Sequence, residues 1–392
     1  MEVAGQKLVA FQPWLRLEQP VSVGSVQFVP FQTGRSCEDG VIQGLAAPLE
    51  KILSSYVDLA NRPVERCTVA TISRRQPAWN LFDEDFEEVH EAASLLYLCA
   101  MATNEYFQQV RRYVNSTMFD LYLQRFTEPV RYVTITARRR DGELRIAGRK
   151  HGNIRFTVPP QADSRDAVPL DTGLVEALNK ALTGNGQVMR RLKPALAFLS
   201  LATTDSDATR TPAEVILMAA AFEQLLNAHK ARDLSQKLGD LFQSFGSVTV
   251  GNVLTARPGI AVDRRYATAQ GTWFAHRKWI EEFYQLRNAY VHGESLSART
   301  WGWTPFEHLV MAAFVFPLTV KLILLQQGCY ILSRTGRVHC GALDLLLGST
   351  QWGGESAGSG ATVWEEKLRE SRSKIRVADA LSVLGERGSG QQ

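Results

Sequence analysis

Arg287-Asn288-Ala289-Tyr290-Val291-His292-Gly293 sets a guanidinium, a carboxamide and an imidazole close together along the chain. Imidazole titrates near neutral pH and can take or give a proton. Guanidinium stays charged and forks onto phosphate oxygens as negative charge builds there. Together they suit attack on a phosphodiester, a chemistry that needs no metal ion. Arg-x4-His is a short pattern, however, and a surface helix ending in a capping histidine also accounts for it. The charge state of His292 is open at this level, because a helix C-terminus favours imidazolium and Arg287 opposes it.

The element that must position these groups is a helix over residues 272–291. Trp279, Phe283, Leu286 and Tyr290 recur at helical steps and give one apolar stripe. On a wheel with Trp279 at the origin, Arg287 falls at about 80° and His292 at about 220°, flanking a face near about 150°. Arg277, Tyr284 and Val291 share that face. The polar pair is therefore expected to point away from its own core, toward solvent or a partner. Gly293 accepts the left-handed conformation that ends helices, so His292 is expected in the last turn.

The neighbouring segments are helical as well. Thr211-Pro212-Ala213-Glu214 reads as a capping box, followed by Val215, Met218, Ala219, Phe222, Leu225 and Leu226 at helical spacing. A second helix is expected over 233–245, with Leu234, Leu238, Leu241, Phe242 and Phe245 apolar. A loop with Gly251, Pro258 and Gly259 leads to the motif helix. Thr304-Pro305-Phe306-Glu307 repeats the cap chemistry and opens a nearly all-apolar helix through Leu325. Four successive helices, with the Arg/His pair closing the third, predict a bundle.

This arrangement resembles the HEPN superfamily (higher eukaryotes and prokaryotes nucleotide-binding domain), and within it the ApeA-like branch. The likeness is carried by Ala219-Ala220-Ala221-Phe222-Glu223-Gln224-Leu225-Leu226, by Phe283-Tyr284-Gln285-Leu286-Arg287-Asn288 leading into His292-Gly293, and by the apolar last helix. It covers residues 194–347. The resemblance implies a metal-independent endoribonuclease without cofactors. Arg287 would bind and stabilise the scissile phosphate, His292 would be the acid/base, and Asn288 would hold the supporting polar position. It further implies a homodimer whose two motifs line one cleft, products ending in a 2′,3′-cyclic phosphate and a 5′-hydroxyl, and a role as a toxin or antiviral defence effector. Arg277, Lys278 and Tyr284 are candidate contacts with RNA. A protein or phage-derived trigger sensed by the N-terminal domain would restrain such an enzyme. The alternative is a non-catalytic dimerisation module, or one that binds a nucleotide or nucleic acid, acting as a regulator or scaffold.

The first part of the chain is of different material. Strand-like stretches at 25–30, 65–72 and 130–136 and a hairpin turning at Asp141-Gly142 into 143–147 bracket a mostly helical segment, 86–123. We therefore expect an α+β N-terminal domain followed by an all-α helical bundle and a C-terminal tail. The boundaries are 1–158 for a sensor or regulatory domain, 159–190 for a linker and leading helix, 191–347 for the bundle and 348–392 for the tail. Pro159-Pro160 begins the expected linker. The tail pairs a flexible Gly/Ser tract, 348–360, with a charged helix, 362–384, that could dock on its own bundle or on another subunit.

Two charged clusters read as solvated surface. Arg138, Arg139, Arg140, Arg145, Arg149, Lys150 and His151 surround the hairpin tip, where they could also track a phosphate backbone. Asp83, Glu84, Asp85, Glu87 and Glu88 open a helix, where dipole and capping explain them without a metal. Five cysteines without CxxC spacing indicate neither a disulfide framework nor a zinc cluster. The N-terminus lacks the pattern of a signal peptide, and the apolar run 309–325 is short and contains Pro317 and Lys321. A cytoplasmic protein with no membrane partner is the expectation.

Overall fold

The computed structural model describes residues 7–35, 44–74, 81, 85–103, 114–138, 144–163, 166–184, 186–247, 273–299, 301–349 and 361–388. The chain divides into two compact units. One comprises Met1–Thr103, Arg111–Gly184 and Thr203–Ser206; the other comprises Asn104–Val110, Asn185–Ala202 and Asp207–Gln392.

The first unit is built on an antiparallel sheet of β1 (Lys7–Gln12), β2 (Val21–Val23), β3 (Val26–Gln32), β5 (Arg66–Ile72) and β6 (Tyr122–Phe126), in the order β2-β3-β5-β1-β6. Residues 8–12 and 67–72 are buried without alternation, so both faces of the central strands are covered. Helices α2 (Phe86–Met101) and α3 (Thr172–Gly184) pack on the sheet's strands, α1 (Ala46–Leu53) buries Leu49, Ile52 and Leu53, and short β4 (Tyr56–Val57) pairs in parallel with β9 (Phe156–Thr157). A separate hairpin joins β7 (Tyr132–Arg138) and β8 (Leu144–Lys150). Gln124 ties it to β6: its amide donates to the Thr134 carbonyl at 2.8 Å and accepts from the Thr134 N–H at 2.6 Å.

The strands expected from composition correspond to β3, β5, β7 and β8. Within the expected helical segment 86–123, α2 spans Phe86–Met101, residues 104–113 lie outside the described residues, and 114–123 are not α-helical. Asn115 has extended backbone and its Oδ1 accepts the Thr117 N–H, which starts a 3₁₀ turn over Ser116–Phe119. The chain then enters β6 as the edge strand beside β1. Nor is the segment after residue 158 a free linker. Pro160–Ala162 forms a 3₁₀ turn with Val158 and Ala162 buried, although residues 164–165 lie outside the described set. α3 buries Leu174, Val175, Leu178 and Ala181 in the same unit, and Asn179 bonds the backbone of Gly24 and Ser22. That burial moves the boundary beyond residue 158.

The second unit is helical: α4 (Gly186–Ala202), α5 (Thr211–Leu226), α6 (Ala231–Phe242), α7 (Ala275–His292), α8 (Pro305–Gln326), α9 (Arg334–Leu347) and α10 (Val363–Gly388). Phe222 on α5 meets Trp279 and Phe283 on α7 and Phe316 on α8 edge-on, with ring centroids 5.3–6.4 Å apart. These rings are fully buried and mark the centre of the core. α6 ends earlier than expected, with Gln243–Phe245 continuing as a 3₁₀ turn.

The two Thr-Pro-x-Glu sequences fold differently. Thr304 is a true N-cap with a reciprocal capping box to Glu307. At the other, Arg210 takes the N-cap, its carbonyl accepting from Ala213 and Glu214, so Thr211 lies inside the helix and forms no box. α8 is long and apolar enough to cross a bilayer, but 72% of its most apolar window is buried within the protein.

The charged terminal helix α10 docks on its own bundle. Trp364 packs against Phe314 with centroids 4.9 Å apart, and Ser371 donates to the Val338 carbonyl at 2.7 Å. Gly341 on α9 makes room, since a Cβ there would lie 2.7 Å from Ser371 Oγ. The expectation for the Gly/Ser tract falls mostly on residues 350–360, outside the described residues.

Candidate functional site

α7 is fixed along its length by α5, α6, α8 and α9. α6 runs beside it, with Ser235 Oγ donating to the Arg277 carbonyl at 3.0 Å near its start and the His229 carbonyl accepting from Tyr284 Oη at 2.8 Å further on. Trp279, Phe283 and Leu286 of the expected stripe are buried against α5 and α8, whereas Tyr290 is only half-buried. Gly293 ends the helix with φ +66°, and His292 is the last helical residue.

Arg287 is turned toward α5 more than toward solvent. Its side chain is 26% exposed, and Nη2 lies 3.8 Å from Glu223 Oε1. Nη1 donates to Asn288 Oδ1 at 2.9 Å, which places Asn288 as a support for the guanidinium. The guanidinium carbon stands 5.5 Å from the centre of the Tyr284 ring, and Nε is buried without a hydrogen-bond partner. Burial raises the Tyr284 phenol above its ordinary pKa; Glu223 adds to the rise and Arg287 opposes it.

The His292 side chain is exposed and makes no hydrogen bond or ion pair among the described residues, and its neighbour Val291 is 47% exposed. The outward direction expected of the pair therefore holds for His292 and only in part for Arg287. A guanidinium held by an amide, with an exposed imidazole five residues on along the helix, has the groups to bind a phosphate and to act on a proton.

The other two expected RNA contacts sit differently. Arg277 lies 4.4 Å over the Trp273 ring and bonds Gln236, and it passes so close to α6 that a Cβ on Gly239 would come within 2.6 Å of its Nε. Lys278 is a correction: it is only 7% exposed, with Nζ 3.5 Å from Glu282 Oε2, so it is removed from any phosphate.

That lysine belongs to a buried polar cluster. Glu282 Oε1 accepts from the backbone N–H of Gly302 at 2.7 Å and of Trp303 at 3.1 Å, with His308 Nε2 at 3.4 Å. Burial pushes the Glu282 carboxyl up, but His308, Lys278 and the Trp303 N–H outweigh it and hold the group below the ordinary carboxylate value. A second buried pair joins His276 Nδ1 to Asp344 Oδ1 at 2.8 Å; Asp344 also accepts the backbone N–H of His276 and Ser247. Both residues are 1% exposed, so the pair is closed to substrate. The i,i+4 spacing of Lys278 and Glu282 was the available sequence signal for the first cluster. Asp344, far from His276 along the chain, carried none.

In the first unit, Arg149 and Lys150 are exposed, while His151 Nε2 lies within 2.9 Å of Ser54 Oγ and 2.8 Å of the Lys51 carbonyl. Residues 139–143 of the basic hairpin tip lie outside the described residues. At the acidic helix start, Asp85 makes no side-chain cap; it pairs with Arg74 at 2.9 Å and Glu88 pairs with the same arginine at 2.6 Å. Among the described residues, no group of three or more His, Cys, Asp or Glu is placed to hold a metal ion. No family model, curated protein or solved structure matches this chain.

Proposed function

We propose that the helical unit is a HEPN-type endoribonuclease that cleaves RNA without a metal ion, with Arg287 and His292 as its reacting groups and Asn288 supporting the arginine. The observation that carries this reading is the combination at the end of α7: Arg287 held by Asn288 at 2.9 Å, and His292 exposed in the last turn before Gly293. In the proposed reaction a ribose 2′-oxygen attacks the adjacent phosphorus while the bond to the 5′-oxygen breaks. His292 takes the 2′ proton or supplies one to the 5′-oxygen, and Arg287 meets the charge building on the phosphoryl oxygens. The products are a 2′,3′-cyclic phosphate and a 5′-hydroxyl.

One copy supplies one imidazole, whereas the reaction both removes and delivers a proton. A second copy would bring a second His292 into the same cleft. We assign the first unit the role of sensing a trigger, and the whole chain that of a toxin or antiviral effector. Both assignments rest on the resemblance of α5, α7 and α8 to that superfamily and on no residue of the first unit.

A binding module that holds RNA or a nucleotide without cleaving it is the second reading. It is favoured by one observation: nothing among the described residues orients the His292 ring, whereas a catalytic imidazole is commonly fixed by a third group. Purified protein incubated with total RNA and tRNA in EDTA separates the two. Cleavage by the parent, lost in His292→Ala and in Arg287→Ala at unchanged oligomeric state, is the expected result. Binding without cleavage selects the module; cleavage retained in both variants removes the proposed site.

A further inference from the structure

The first two turns of α4, the last turns of α5 and α8 and the second half of α6 line a half-open cavity of about 280 Å³, to which neither Arg287 nor Tyr284 contributes. Its apolar lining is Val188, Leu225, Leu226, Leu241 and Ile323, of which the first three are buried. Three charged side chains, Arg191, Lys237 and Asp240, also line it.

The charges are not equivalent. Lys237 Nζ donates to the carbonyls of Leu226 at 3.0 Å and Asn227 at 2.6 Å, where it caps the C-terminal end of α5. Asp240 Oδ1 accepts from Gln236 at 2.7 Å. Arg191 is half-buried and has no hydrogen bond or ion pair among the described residues. A guanidinium partly withdrawn from water, without an anion, beside an apolar surface, is matched by a ligand that brings both a carboxylate-like head and a hydrocarbon body.

We propose that this cavity binds a small amphipathic carboxylate, its head on Arg191 and its chain against Leu225, Leu226 and Leu241. Arg191, Lys237 and Asp240 sum to a single positive charge, which suits a monoanion better than a doubly charged phosphate monoester. The volume lies at the lower edge of the roughly 300–1,000 Å³ of ordinary ligand pockets, which favours a short chain over a long lipid tail. The site is independent of the ribonuclease reading.

Titration calorimetry of the full chain with sodium octanoate tests it, with acetate as a head without a body and 1-octanol as a body without a head. Octanoate should bind saturably, one per chain, with a dissociation constant of about 1 mM or tighter, and the two controls at least about tenfold more weakly. Arg191→Gln should weaken octanoate about tenfold while leaving 1-octanol unchanged. Leu241→Gln should weaken both, and thermal unfolding of each variant checks its fold. Absence of saturable octanoate binding, or equal binding by folded Arg191→Gln, overturns the proposal.

Discussion

Glu223 Oε1 on α5 and Arg287 Nη2 on α7 face each other at 3.8 Å, beyond hydrogen-bond length but well within the reach of charge. The candidate phosphate-binding arginine thus has a carboxylate neighbour in the protein itself, at a site only partly open to solvent.

An incoming phosphate would meet Glu223 as well as Arg287. A carboxylate about 6 Å from a phosphate opposes it by roughly 0.7–3 kcal/mol across dielectrics from ~80 to ~20. Glu223→Gln should therefore raise affinity for an uncleavable 2′-deoxy oligonucleotide by about tenfold, and Arg287→Ala should lower it. Fluorescence anisotropy at fixed salt reads both. An unchanged or weaker affinity in folded Glu223→Gln would mean that the carboxylate positions the arginine instead of opposing the ligand.

Glu282 should make the helical unit sensitive to acid. Its carboxyl is held below the ordinary value in the folded protein, so the stability it supplies is present above the unfolded value of about 4.3 and is lost as pH falls through the folded one. Glu282→Gln removes the charge that answers Lys278 and His308 and should cost about 3 kcal/mol near neutral pH. Denaturant titrations at neutral and acid pH should show the variant starting lower and losing less on acidification. Parallel acid losses in the two proteins would contradict the assignment.

The two Thr-Pro-x-Glu sequences should respond differently to the same substitution. Thr304 Oγ1 accepts the Glu307 N–H at 3.2 Å, so Thr304→Ala should cost about 1 kcal/mol. Thr211 makes no cap, and Thr211→Ala should change stability by less than about 0.5 kcal/mol. Equal losses in chemical denaturation would disprove the distinction.

Gly293 holds φ +66° with nothing within 4 Å of where a Cβ would stand, so the obstacle to a side chain there is the backbone alone. Gly293→Ala should cost about 1–2 kcal/mol. Gly293→Asn should cost visibly less, because asparagine tolerates the left-handed region. Matching melting temperatures for the two variants would argue that the helix end is set by something else.

Much of the helical unit was legible because its signals are local. Trp279, Phe283 and Leu286 announce one buried face of α7, and Gly293 announces its end. The failures came where distant residues decide the outcome. Lys278 reads as surface charge until α8 and the 302–303 backbone close over Glu282. Thr211 and Thr304 stand in like tetrapeptides, yet Arg210 in extended conformation takes the first cap and leaves Thr211 inside the helix. β6 was hidden because its partner, β1, lies more than a hundred residues earlier. Glu223 lay within the stretch that carried the family likeness, but only the packing of α5 on α7 brings it to Arg287.

The short turn between α5 and α6 is held at two points. Lys237 grips the carbonyls of Leu226 and Asn227, and Tyr284, the aromatic floor beneath Arg287, grips that of His229. One peptide segment is therefore common ground for the cavity wall and the arginine. Thermodynamic linkage then constrains both: by whatever factor octanoate alters affinity for RNA, RNA must alter affinity for octanoate, and a factor of one in either direction forces one in the other.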